Sequence, residues 1–300
     1  GFGIDCSFIS RNFKQADYVE RQSGLCELAL HNFPLLGLGH IRIHNRDGIS
    51  YLQEMLPVDC LFLDPARRDG HGGKTVAISD CEPDVTVLEP LLVDKAKKVM
   101  VKLSPMLDLS LALNELKTVR AVHIVAVNNE CKELLLILQK ESVSSEVSIH
   151  CEHIAGNGES RHYTFTLKRE KTSPCLLADE VGTYLYEPNA AILKAGAFRS
   201  LTQTYPVAKL HLNSHLYTSV SLVPDFPGRR FRVEAVSGFG KKELKAFLMD
   251  MDKANITIRN FPLSVAELRK RLKLKEGGDD YIFATTLSGG QKVLIRGKKC

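Results

Sequence analysis

The chain has 300 residues, 44% of them hydrophobic and 25% charged, which is long for one compact domain and comfortable for two. No apolar run reaches the roughly 18 residues of a membrane span, and Gly1-Phe2-Gly3-Ile4-Asp5 has neither the basic start nor the apolar stretch of a signal peptide. The eight cysteines are scattered singly, with no Cys-x-x-Cys pair or zinc spacing, so a reduced cytoplasmic protein without a metal site is expected. The charge is uneven: residues 257–300 hold ten Lys/Arg against four Asp/Glu, a surplus of +6 in a chain whose total is +5. A basic end of this kind suits a polyanionic partner.

In chain order the first half alternates strand and helix patterns. Ala16–Glu20 reads as a strand, Ser23–Leu36 as a helix closed by Gly37, His40–His44 as a strand and Gly48–Leu56 as a short helix. Val58–Leu63 is nearly all apolar, as a strand buried on both faces of a parallel sheet would be. Val85–Ala96 is helical, Lys98–Leu103 a strand, Leu107–Leu116 a helix and Ala121–Val127 a strand. This rhythm predicts a doubly wound, mostly parallel α/β sheet.

After Cys131 the rhythm changes. Glu133–Gln139, Val147–Ile154 and Tyr163–Lys168 read as consecutive strands, the last two joined at Gly156-Asn157-Gly158 and able to finish the sheet as an antiparallel hairpin. Ser173-Pro174 marks a linker. Beyond it come a helix over Asn189–Ala197, a strand over Arg229–Ser237 with Phe231, Val233 and Ala235 on one face, and a helix over Lys241–Met251. A strand over Asn255–Arg259, a basic helix over Val265–Leu272 and a hairpin of Tyr281–Thr286 with Lys292–Ile295 follow. Together these predict a small α+β domain.

Four elements carry chemistry. Gly1 and Gly3 form a Gly-x-Gly turn, which lets the backbone approach a nucleoside ligand closely. Glu20 ends the next strand, where a carboxylate accepts hydrogen bonds from ribose hydroxyls. Asp47 follows the third strand, a position suited to an adenine amino group. Asp64-Pro65-Ala66-Arg67-Arg68 leaves the buried strand at the crevice where open α/β sheets bind ligands. The two arginines there could grip a phosphate or carboxylate.

The run GFGID…YVER…RDG…LFLDPARRD, with DPARRDGHGGKTVAISDCEPD after it, resembles the motifs of class I S-adenosylmethionine-dependent methyltransferases, in particular a bacterial subfamily. The later stretch NITIRNFPLSVAELRKRLKLKEGGDDYIFAT resembles the THUMP-like domain that follows in that subfamily. The resemblance implies a Rossmann-like methyltransferase sheet over residues 1–170 and a THUMP-like α+β domain over 175–300. It implies that S-adenosyl-L-methionine is the cofactor, with Gly1, Gly3 and Asp5 at its methionine part. Glu20 and Arg21 would then lie at the ribose, Asp47 at the adenine, and Asp64 and Pro65 at the rim near the methyl group. Asp64 and Arg67 are the candidate catalytic residues. Arg68, Arg269, Lys270, Arg271 and Lys273 are the candidates for holding RNA, the substrate class that THUMP modules deliver.

Two departures stand out. The strand and acidic residue that normally precede the first glycine are absent from the sequence, so the chain is expected to begin inside the cofactor loop. Ala66 and Arg67 also replace the Pro-aromatic pair that stacks on a flipped base in amino-group methyltransferases. Gly72-Gly73-Lys74-Thr75 ends like a phosphate-binding loop, but Arg68 stands where its first glycine belongs. Cys81 has no base at a set spacing and reads as an inert thiol. The expected function is methyl transfer to ribosomal or transfer RNA; the alternative is a non-catalytic RNA-binding protein that retains the fold.

Overall fold

The computed structural model describes residues 1–67, 77–140 and 146–300. They divide into two compact units. The first comprises Gly1–Lys102, Met106–Val119 and Ile137–Ser142, and the second Leu103–Pro105, Arg120–Leu136 and Val143–Cys300. No helix among the described residues is long and apolar enough to cross a membrane.

The chain opens with α1 (Ile4–Ile9) and a short 3-10 turn, Ser10–Asn12. It continues through β1 (Ala16–Glu20), α2 (Ser23–Leu35), β2 (Ile41–Asn45), α3 (Gly48–Glu54) and β3 (Val58–Leu63). Next come β4 (Ala66–Arg67), β5 (Cys81–Glu82), α4 (Val85–Lys95), β6 (Ala96–Leu103) and α5 (Leu109–Glu115). β1 is parallel to β2, with Glu20 opposite Asn45, and β3 is parallel to β6, with Leu63 opposite Val101. The helices start where a side chain can bond the free amides of the first turn: Asp47, Asp84 and Asp108 accept from the N–H groups of Ser50, Thr86 and Leu111. Tyr18, Ala29, Phe33, Leu38 and Ile41 form the core between α2 and the first strand pair.

The remaining elements are β7 (Val119–Val127), β8 (Glu130–Leu138), β9 (Ser148–Ile154), β10 (Ser160–Thr166), α6 (Leu167–Thr172), β11 (Tyr184–Pro188), α7 (Ala190–Ala195) and α8 (Ser200–Thr204). They are followed by β12 (Ala208–Lys209), β13 (Tyr217–Ser219), β14 (Gly228–Ser237), α9 (Lys241–Phe247), β15 (Asn255–Arg259), α10 (Val265–Leu272), β16 (Asp280–Thr286) and β17 (Lys292–Lys299). β7 is parallel to β9, and β9 and β10 form the expected antiparallel hairpin. The strand expected over Tyr163–Lys168 stops at Thr166, whose hydroxyl accepts from the Arg169 N–H at 3.1 Å and starts α6 instead.

A seven-stranded sheet in the order β12-β13-β11-β14-β17-β16-β15 organises the second unit. Its pairs are antiparallel except β15 with β16. Strand alternation sends Leu185, Phe231, Phe283 and Ile295 to one face, where they pack with Leu210 and Leu216. Ile282, Ala284 and Leu294 go to the other, under Phe247, Leu268 and Leu272 of α9 and α10. Phe231, Val233 and Ala235 do not share a face as the alternation predicts. A bulge between Val233 and Ala235 shifts the register, so Val233 packs with the first cluster and Ala235 with the second.

Two polar features of the second unit stand out, an ion network across this sheet and a half-buried histidine between β12 and β13. Glu187, 2% exposed, accepts from Arg229 Nε at 2.8 Å and from Arg229 Nη2 on one oxygen, and from Arg259 Nη2 at 2.8 Å on the other. His215 stacks on Phe198 with ring centres 3.6 Å apart. Burial, helped by the charges of Lys209 and Arg259, lowers its pKa to about 4. His215 is therefore neutral in the fold, and an unfolded histidine near 6.5 takes up its proton first. The contribution of His215 to stability is then complete above about pH 6.5 and is lost as pH falls toward 4. An NMR titration of the His215 ring should give a midpoint near 4; a midpoint at 6 or above would contradict this environment.

Candidate functional site

The candidate residues of the first unit collect at the carboxyl ends of parallel strands, where an open α/β sheet forms its ligand crevice. Gly3 precedes α1 with φ +76°, and a Cβ there would lie 2.8 Å from Phe33 Cζ. Both the left-handed backbone and the space beneath it require glycine. Gly3→Ala should therefore cost about 1–3 kcal/mol, read as a lower unfolding midpoint in urea with an unchanged slope. The turn is held on β1 by the Tyr18 hydroxyl, which donates to the Gly1 carbonyl.

Glu20 lies at the end of β1. Its carboxylate accepts from the Gln22 N–H at 2.9 Å. Asn45, opposite Glu20 on β2, donates to the carbonyls of Glu20 and Arg21 at 3.0 and 3.1 Å and fixes the turn between them. Asp47 is the cap of α3, accepting from Ser50 N–H at 2.9 Å and Ser50 Oγ at 3.1 Å. Those bonds, with nearby Arg21, keep its carboxyl below the ordinary value.

At the centre is a residue to which no sequence motif points. Lys102 Nζ lies 2.7 Å from Asp5 Oδ2 and 2.8 Å from Asp64 Oδ2. The lysine side chain is 20% exposed and the two carboxylates are about half exposed. Burial disfavours the ammonium, yet its bonds to Asp5 and Asp64 outweigh burial and raise its pKa above the ordinary lysine value. The cluster joins the start of α1, the end of β3 and the end of β6. A signal for it existed: one lysine closes the apolar run Val99–Val101 at the crevice end of a strand.

Pro65 is buried beside Asp64, and the backbone of Ala66 and Arg67 pairs antiparallel with Glu82 and Cys81. The Arg67 side chain, Arg68 and Gly72-Gly73-Lys74-Thr75 lie outside the described residues. Cys81 is 2% exposed.

The four basic candidates of α10 and its cap are not gathered on one face. Arg269 Nη1 donates to the Ala254 carbonyl at 3.1 Å, whereas Arg271 stands 5.3 Å from the centre of the Phe239 ring. Lys270 is exposed, and Lys273 caps the helix with φ +59°.

Residues 184–227 match a family described as a ferredoxin-like domain, and residues 228–299 one described as THUMP domain-like. No curated protein matches the chain. Among solved structures, that of a "putative methyltransferase" from Porphyromonas gingivalis W83 superposes with a TM-score of 0.89 at 35% identity, covering 100% of this chain and 75% of the other. The chain thus belongs to the family of that protein, with a methyltransferase-type α/β fold and a THUMP-like domain at its C-terminal end.

Proposed function

We propose that the chain is an S-adenosylmethionine-dependent methyltransferase that acts on RNA. The observation that carries this reading is the set Gly1, Gly3, Glu20, Asp5, Lys102 and Asp64 at the carboxyl ends of β1, β3 and β6. Its donor chemistry fits the cofactor: Glu20 offers two acceptor oxygens for ribose hydroxyls. Two carboxylates around one ammonium leave a net charge of −1, which suits a sulfonium ligand. When bound, the cofactor supplies an activated methyl group. Asp64 orients the acceptor, and Lys102 holds the Asp64 carboxylate in one position. Arg67 and Arg68 bind substrate phosphate, and Arg269, Lys270, Arg271 and Lys273 add positive charge for the RNA.

Calorimetry with millimolar S-adenosylmethionine on the full-length protein tests the cofactor. No heat and no thermal shift would end the reading. Glu20→Ala should weaken binding about tenfold, a loss of ~1.4 kcal/mol, without lowering the melting temperature of the free protein. Transfer of labelled methyl to RNA from a strain lacking the gene tests the substrate; RNA binding without transfer would make the protein a non-catalytic binder.

A further inference from the structure

The second unit has a concave site that includes one of the arginines assigned above to RNA, Arg269, together with residues not yet given a role. An open depression of about 580 Å3 is lined by Arg229, Asn255, Thr257, Arg269, Glu276 and Tyr281. Its cations are anchored rather than loose. Arg229 is fixed through Glu187, and Arg269 through the Ala254 carbonyl. Each anchor engages only part of a guanidinium fork that carries five N–H donors. Lys299 Nζ stands 5.4 Å from the centre of the Tyr281 ring and Arg229 Cζ 5.9 Å from it. The ring attracts both cations by its quadrupole, which sets Lys299 beside the cavity.

Charge and shape select the occupant. Glu187 is shared by Arg229 and Arg259, and among the described residues lining the cavity Glu276 is the carboxylate that faces Arg229 and Arg269, so with Lys299 a positive surplus remains. An aromatic face among cations and amide or hydroxyl groups suits a base with its phosphate. A cavity of this size admits one splayed nucleotide and not a duplex, which proteins read across a wide, shallow groove.

We propose that this cavity is a single-nucleotide subsite for single-stranded RNA, with the base against Tyr281 and the phosphate held by Arg269 and Lys299. The proposal rests on the RNA-directed reading above and adds where, and in what form, the strand is held.

The test is fluorescence anisotropy of the full chain with a labelled twelve-nucleotide single-stranded RNA, over a series of salt concentrations. Arg269→Gln with Lys299→Gln should weaken binding about tenfold or more and flatten the salt slope by ~0.7 for each phosphate no longer neutralised. Lys241→Gln with Lys242→Gln, on α9, should change affinity less than twofold. Lys299→Gln alone alters an exposed side chain, keeps the fold, and should give a partial loss. Equal losses in the cavity and α9 variants would overturn the subsite while leaving RNA binding in place. No binding by the unaltered chain would overturn the RNA reading itself. Displacement of the RNA by a polyglutamate peptide as readily as by unlabelled RNA would also overturn the subsite, since bulk charge would then suffice.

Discussion

Glu187→Ala is expected to destabilise the second unit by about 3–5 kcal/mol, because it strands two arginines beside a buried, vacated site. Glu187 is 2% exposed, while Arg229 and Arg259 are 34% and 35% exposed. Partial solvation of the arginines places the cost near the lower end of that range. Denaturant melts should show it directly, and Glu187→Gln should behave similarly because the amide cannot accept both forks as a carboxylate does. The triple change Arg229→Met, Glu187→Leu, Arg259→Met should recover most of the loss, as apolar replacement of a buried ion network commonly does. A cost below about 1 kcal/mol for Glu187→Ala would mean that these ion pairs do not join β11 to β14 and β15.

Lys102→Met is expected to have the largest effect on transfer. It leaves Asp5 and Asp64 as neighbouring carboxylates with no cation between them, so each moves away from the other. Displacing a positioned group by about 1 Å costs on the order of 100-fold in rate. The two carboxylates are half exposed, so water screens their repulsion and stability should fall far less than the rate. Lys102→Arg should restore part of the rate. The Asp64→Asn, Lys102→Met double variant should be little worse than either single change, since the pair acts together. Additive losses would separate Lys102 from Asp64.

The sequence was most legible where one period ran uninterrupted between clear stops. β1, β3, β15 and α10 have the limits that their patterns predict; α10 is set by the Ser264 and Glu267 capping box and the left-handed Lys273. The α/β class followed from such segments, whereas the THUMP-like end came from the resemblance of the stretch over residues 255–286 to that family. What stayed hidden was short or non-local. Ile4–Asn12 forms α1 and its 3-10 turn without enough length for a period. β11 reads Tyr-Leu-Tyr-Glu-Pro, in which Pro188 and the charge of Glu187 mask a strand whose buried carboxylate is paired by distant arginines. The pattern predicts α9 as far as Met251, but it ends at Phe247. Asp5, Lys102 and Asp64 are each ordinary alone, and only the arrangement of α1, β3 and β6 turns them into a cluster.

The order of the seven-stranded sheet also bears on how the protein is made. β17 is the last of its strands along the chain, yet it lies between β14 and β16. As the ribosome extends the chain, β11 and β14 can meet early, whereas no strand pairing joins β16 and its parallel neighbour β15 to them until β17 emerges. The apolar faces of both halves therefore wait, unjoined, for the final strand. Closure across so many residues is entropically slow, and the nascent chain passes through a stage with two open sheet edges, the form most prone to wrong pairing.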